Sequence, residues 1–130
     1  MALSDISLRS FRVLIVEDNR DGADTLATLL QAYGFEVQVA YTGPDGLQAA
    51  LDDPPDAVVC DINLPGLDGL TIARRLCEAL PEKPLMVAVS ALREEELIGP
   101  AGRAGFDHYF AKPADPAELG SVLTELAERA

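Results

Sequence analysis

The chain is poor in cysteine, histidine and basic residues. Its two cysteines, Cys60 and Cys77, are too few for a disulfide framework and do not stand at metal-ligand spacing. A reducing cytosol is the expected setting, with Cys60, inside an apolar run, expected to be core packing. The single histidine, His108, falls in a predicted strand and is expected to be solvent-facing or structural rather than catalytic. Ten basic residues stand against 22 acidic ones, for a formal net charge of −12. Such a chain is repelled by nucleic acid and by anionic membrane surfaces. No apolar run is long enough to span a bilayer, and residues 1–10 lack the apolar stretch of a signal peptide. The expected protein is cytoplasmic, with no direct nucleic-acid binding and no membrane contact.

What is present suits one compact domain. The 130 residues are 48% hydrophobic and 25% charged, enough to bury a core and remain soluble. Short runs rich in valine, isoleucine and leucine alternate with longer stretches of helical spacing. Strands are predicted over 12–17, 36–41, 57–61, 85–90 and about 107–111. The second alternates, with Val37, Val39 and Tyr41 on one side, as a strand near a sheet edge does. Helices are predicted over 20–33, from Thr42 as N-cap to near Leu51, over 68–79 and over 115–129, with a further one in 93–105. The first buries Ala23, Leu26, Leu29, Leu30 and Tyr33 by its spacing, and Gly34 stands where a left-handed cap belongs. The third buries Ile72, Ala73, Leu76 and Leu80, and the last Leu119, Val122, Leu123 and Leu126. Strict alternation requires right-handed crossovers and a parallel sheet covered on both faces. The predicted fold is α/β, a single doubly wound five-stranded parallel sheet flanked by helices. The segment 93–105 is irregular, because Gly99-Pro100 and Gly102 interrupt it and an interior proline costs about 3 kcal/mol.

In open α/β sheets, ligands bind beyond the carboxyl ends of the strands. The first strand ends in Glu17-Asp18, the third in Asp61 and the fourth in Ser90-Ala91, and Lys112-Pro113 follows the fifth. Three carboxylates at neighbouring tips hold protons or a cation. They are hard oxygen ligands with no histidine or cysteine beside them, which favours Mg2+ (or Mn2+). The bland alternative is that Asp18 and Asp61 cap the helices that follow them. With Ser90 and Lys112 added, the set has the parts a phosphoryl group needs: a carboxylate nucleophile, a cation, a lysine and a hydroxyl donor.

These residues, taken in order, resemble the response-regulator receiver domains of two-component signalling. The motifs are Glu17-Asp18-Asn19, Asp61 in Asp-Ile-Asn-Leu-Pro-Gly-Leu-Asp-Gly (61–69), Ser90-Ala91, and Tyr109-Phe-Ala-Lys112-Pro113. They cover about residues 11–128, so 11–129 is expected to be the receiver domain and 1–10 an N-terminal extension. The resemblance implies a flavodoxin-like strand order of 2-1-3-4-5. It implies phosphorylation of Asp61 from a phosphohistidine on a histidine kinase or histidine phosphotransfer protein. It implies metal binding by Glu17, Asp18, Asp61 and the Asn63 backbone carbonyl, and phosphoryl contacts from Ser90 and Lys112. Ser90 and Tyr109 would form the switch, and the Lys112-Pro113 peptide would be cis. Asn63 and Leu92 are expected to tune phosphate lifetime. The run 105–108 is similar to receivers of hybrid histidine kinases. A weak homodimer is compatible with the family, although Pro100 interrupts the segment on the face often used for it.

Three other classes compete. One is an interaction module that works without phosphorylation. Another is an aspartate-nucleophile phosphatase, disfavoured because such enzymes carry the nucleophile on the first strand and an acid/base aspartate where Asn63 stands. A flavin carrier of the same topology is disfavoured by Glu17-Asp18, which repel a flavin phosphate. The expected protein is therefore a switch rather than a turnover enzyme.

Overall fold

The computed structural model describes residues 11–64, 66–91, 99, 102–112 and 114–129. The strands are β1 (Arg12–Val16), β2 (Glu36–Ala40), β3 (Ala57–Asp61), β4 (Leu85–Ser90) and β5 (His108–Ala111). The helices are α1 (Arg20–Ala32), α2 (Gly43–Asp52), α3 (Gly69–Ala79) and α4 (Pro116–Arg129). One sheet forms, in the order β2-β1-β3-β4-β5, and every pairing is parallel. This is the predicted doubly wound arrangement, with β2 at an edge. The expected extension, residues 1–10, lies outside the described residues, as do Pro65, Leu92, Pro113 and most of 93–105. In that last segment Gly99 and Gly102–Ala104 are helical, and Gly105, at φ 110°, turns the chain toward β5.

Alternate strand residues feed two cores, because side chains of a strand point to opposite faces. Leu14, Val16, Val58, Cys60, Met86 and Ala88 pack with Ile72, Ala73 and Leu76 of α3 and Ala50 of α2. Val13, Ile15, Val59, Val87 and Val89 pack with Ala23, Ala27 and Leu30 of α1 and with Leu119 and Leu123 of α4. Truncating a fully buried leucine such as Leu14 or Leu76 to alanine costs about 2–5 kcal/mol at such sites. β3 is buried along its whole length, so the residue at its tip enters the site from a rigid support.

The predicted face of α1 needs a correction. Leu29 and Tyr33 are 38% and 45% exposed, and Ala27 takes the buried position between Ala23 and Leu30. A small residue lets α1 approach the sheet closely, which turns Leu29 outward. The Tyr33 ring lies across Gly120 of α4, where a Cβ would sit 2.6 Å from ring carbons. The cap of α1 is as expected. Gly34 has φ 97°, its N–H donates to the Gln31 carbonyl, and the Phe35 N–H reaches back to that of Leu30.

Candidate functional site at the strand tips

The site lies where β1, β3, β4 and β5 end. Asp61 closes β3 and is only 5% exposed; Ser90 closes β4 and is fully buried. Parallel pairing sets Asp61 opposite Val89, and Ser90 opposite Ala111, so Lys112 emerges beside both. The Lys112 N–H donates to the Ser90 carbonyl at 2.7 Å, which carries the β4–β5 ladder one residue further and fixes where the lysine side chain starts.

Lys112 Nζ donates to Asp61 Oδ2 at 2.8 Å and stands 2.8 Å from Glu17 Oε1. The other oxygens of these carboxylates are also held. Asp61 Oδ1 accepts from the Asn63 backbone N–H at 3.0 Å, and Glu17 Oε2 accepts from that of Asn19 at 3.1 Å. One carboxylate oxygen from each of Glu17, Asp18 and Asp61 lies within 4.8 Å of the others. Asn63 Nδ2 makes a long contact, 3.5 Å, to Ser90 Oγ.

Neither acid acts as a helix cap. The α1 cap is Asn19, whose Oδ1 accepts from the Gly22 N–H. The α3 cap is Asp68, whose Oδ1 accepts from the Thr71 N–H. Asp18 and Asp61 are thereby left to the cluster. Tyr109 is half-buried against the core on the α2–α3 side, and its hydroxyl lies close to Gly102, 3.0 Å from where a Cβ there would be. His108 starts β5 and pairs with Val87, a strand position away from the acids.

Electrostatics follow the geometry. Burial raises the Glu17 pKa; Lys112 and the Asn19 N–H oppose it, while the adjacent Asp18 and the Asp61 charge add to it. Burial works against the Lys112 ammonium, but its hydrogen bonds to Asp61 and Glu17 outweigh that, and its pKa rises. Burial, followed by the charges of Asp61 and Glu17, pushes the Cys60 thiol far up, so it stays protonated.

The residues fit a hard divalent cation. The donors are oxygens alone, they converge from two strand tips, and a cation among them would offset both the burial of Glu17 and its repulsion by Asp18 and Asp61. Asp18 is exposed, which leaves room for metal-bound water.

The response regulator receiver domain model matches residues 13–124. The chain belongs to the response regulator receiver domain family. This receiver domain is 36% identical over 126 residues to the transcriptional regulatory protein PrrA of Mycobacterium tuberculosis, covering 96% of this chain and 53% of PrrA. It thus spans about half the length of that relative. A crystal structure of a response regulator from Chloroflexus aurantiacus superposes with a TM-score of 0.83 at 30% identity, over 92% of this chain and 99% of that one. The BeF3-activated receiver domain of DrrB superposes at 0.84 and 25% identity, over 92% and 99%; DrrB is a Thermotoga maritima OmpR/PhoB homologue.

Three features of the site differ from the predicted roles, although an Asn directly before a helix, as at position 19, is itself an N-cap signal. Asn19 looks like part of the acidic motif and serves as a cap. Tyr41 donates its hydroxyl to Asp24, while Arg20 stacks 4.1 Å above its ring, a tie between β2 and α1 that depends on tertiary placement. Gly43 and Gly69 read as helix starts, yet each meets the backbone of the loop carrying Asn63.

Proposed function

We infer that this receiver domain accepts a phosphoryl group on Asp61 and converts its presence into a changed surface. The observation that carries this is the Lys112–Asp61 contact at the buried tip of β3, with Glu17 and Asp18 alongside. An isolated buried carboxylate is costly; one given a lysine, an oriented backbone N–H and a cation site is prepared to hold further negative charge.

The donor is a phosphohistidine of a histidine kinase or histidine phosphotransfer protein. A carboxylate oxygen of Asp61 forms the new bond to phosphorus as the P–N bond breaks, and the departing imidazole takes up a proton. Asp61 and Asp18 would hold Mg2+ (or Mn2+), with Glu17 directly or through water and Asn63 through its carbonyl. The metal, when bound, offsets charge on the phosphoryl oxygens. Lys112 moves its proton-bearing nitrogen from Asp61 Oδ2 to a phosphoryl oxygen, and Ser90 Oγ turns from Asn63 to donate to another. Tyr109 then fills the space Ser90 leaves. Residues 11–129 act as one receiver unit in the cytoplasm, and at a net charge of −12 the unit itself makes no DNA contact. Among the described residues no helix is long and apolar enough to cross a membrane.

The test is intact mass after incubation with acetyl phosphate and Mg2+, beside Asp61→Asn and a chelator control. One added phosphoryl group in the wild type alone supports the assignment. No added mass in folded, Mg2+-bound protein would point to an interaction module independent of phosphorylation.

A further inference from the structure

The loop from Ile62 to Asp68 supplies the N–H that orients Asp61, so what sets the position of that loop sets the acceptor. Its base is closed by two hydrogen bonds, Ile62 N–H to the Val89 carbonyl and Gly69 N–H to that of Ile62, each 3.0 Å. Gly69 allows that closure, since a Cβ there would lie 2.6 Å from the Asp61 carbonyl oxygen and 2.9 Å from Ile62 Cα. The far end of the loop rests on the first turn of α2. A Cβ on Gly43 would overlap the Leu67 carbonyl oxygen and come within 3.0 Å of Leu67 Cβ. The obstacle is backbone, so no side-chain rotation relieves it. Gly43 is not in the left-handed region; its requirement is for space alone. Nor can α2 retreat inward, because Gly46 of the same helix already presses on Val16, with Cγ2 2.6 Å from where a Cβ would be.

We propose that Gly43 is a positioning residue for the phosphoacceptor: it lets Leu67 settle on α2 at the height that puts the Asn63 N–H on Asp61 Oδ1. The inference rests on Asp61 being the acceptor. Any side chain at 43 lifts Leu67, and the Gly69–Ile62 hydrogen bond passes that shift to the neighbouring Asn63, whose N–H donates to Asp61 Oδ1.

The experiment compares Gly43→Ala with Gly46→Ala, which adds the same methyl to the same helix but against the Val16 side chain. Three quantities are read: the Asn63 amide shift in metal-free protein, the Mg2+ affinity by titration, and the initial rate of phosphorylation by acetyl phosphate. The expected result is a displaced Asn63 resonance and at least about a tenfold loss of Mg2+ affinity and rate in Gly43→Ala. Gly46→Ala should lose thermal stability and keep both within about twofold. If Gly43→Ala is unfolded in buffer, all three proteins are measured in trimethylamine N-oxide, which favours the compact state. Folded Gly43→Ala with an unmoved Asn63 amide and wild-type affinity and rate would overturn the proposal. So would equal losses in the two variants at matched folded fraction. Failure of the wild type itself to take up phosphate would instead remove the acceptor assignment beneath it.

Discussion

Lys112 Nζ sits between Asp61 Oδ2 and Glu17 Oε1, 2.8 Å from each, so one ammonium balances two carboxylates from different strands. Replacing it separates two of its effects. Lys112→Gln should slow phosphorylation of Asp61 by about 10²–10³-fold, the usual cost of removing one preorganised charge-stabilising donor. The same variant should bind Mg2+ more tightly, because the carboxylates lose a competing cation. Rates by mass spectrometry and affinity by titration check the two halves; weaker Mg2+ binding would mean that the lysine organises the cluster rather than competes with the ion.

Asp61→Asn should abolish phosphorylation with little change in stability. Asparagine keeps an oxygen for the Asn63 N–H, and Lys112, one-third exposed, retains Glu17 as partner. No buried charge is left alone, so the shift should stay within about 1 kcal/mol. Urea unfolding measures it, and a loss of several kcal/mol would show that the pair is a principal support of the fold.

Mg2+ should raise the melting temperature. A ligand bound only by the folded state, at one hundred times its dissociation constant, adds about 2.7 kcal/mol. Chelator should reverse the gain, and Asp18→Asn together with Asp61→Asn should prevent it. A gain that survives the double variant would place the ion elsewhere.

Ser90→Ala should reduce phosphorylation about tenfold, the worth of one hydrogen bond to a charged group, while leaving Mg2+ affinity unaltered. Ser90 and Asn63 are in contact, so Asn63→Ala in both backgrounds, as a double-mutant cycle, isolates what their interaction contributes to the rate.

Cys60 should resist alkylation in the native protein at pH 8–9 while the partly exposed Cys77 reacts. Burial, reinforced by Asp61 and Glu17, raises the Cys60 pKa above its unfolded value. The proton is therefore bound more tightly in the folded state. Its contribution to stability is complete below about pH 8.5, the unfolded thiol value, and declines as pH rises beyond it. Modification of Cys60 as fast as Cys77 would mean that the tip of β3 opens readily.

The strands and their polar tips are legible in the sequence because each ends an apolar run, and the unbroken run from Ala57 to Cys60 places β3 inside the sheet, where it is buried on both faces. The roles of Glu17, Asp18, Asp61 and Lys112 as neighbours follow once those tips are aligned. Leu29 and Tyr33 are not legible in the same way. Helical spacing assigns them inward, but the small Ala27 and Gly120 let α1 and α4 approach closely, and the larger groups turn outward. Asn19 as cap and Gly43 as spacer escape for other reasons. Gly43 depends on the Leu67 backbone, brought in from another segment, and the Asn19 cap on a local bond to Gly22; apolar periodicity reports neither.

The separation of 51 residues between Asp61 and Lys112 has a consequence during synthesis. As the polypeptide leaves the ribosome, the acidic residues of the first and third strands emerge well before the lysine that neutralises them. Until the fifth strand docks, a collapsed chain would hold mutually repelling carboxylates without their counter-charge. The charge balance at the tip of β3 is therefore completed only by the docking of β5, whose pairing with β4 places Lys112 beside Asp61.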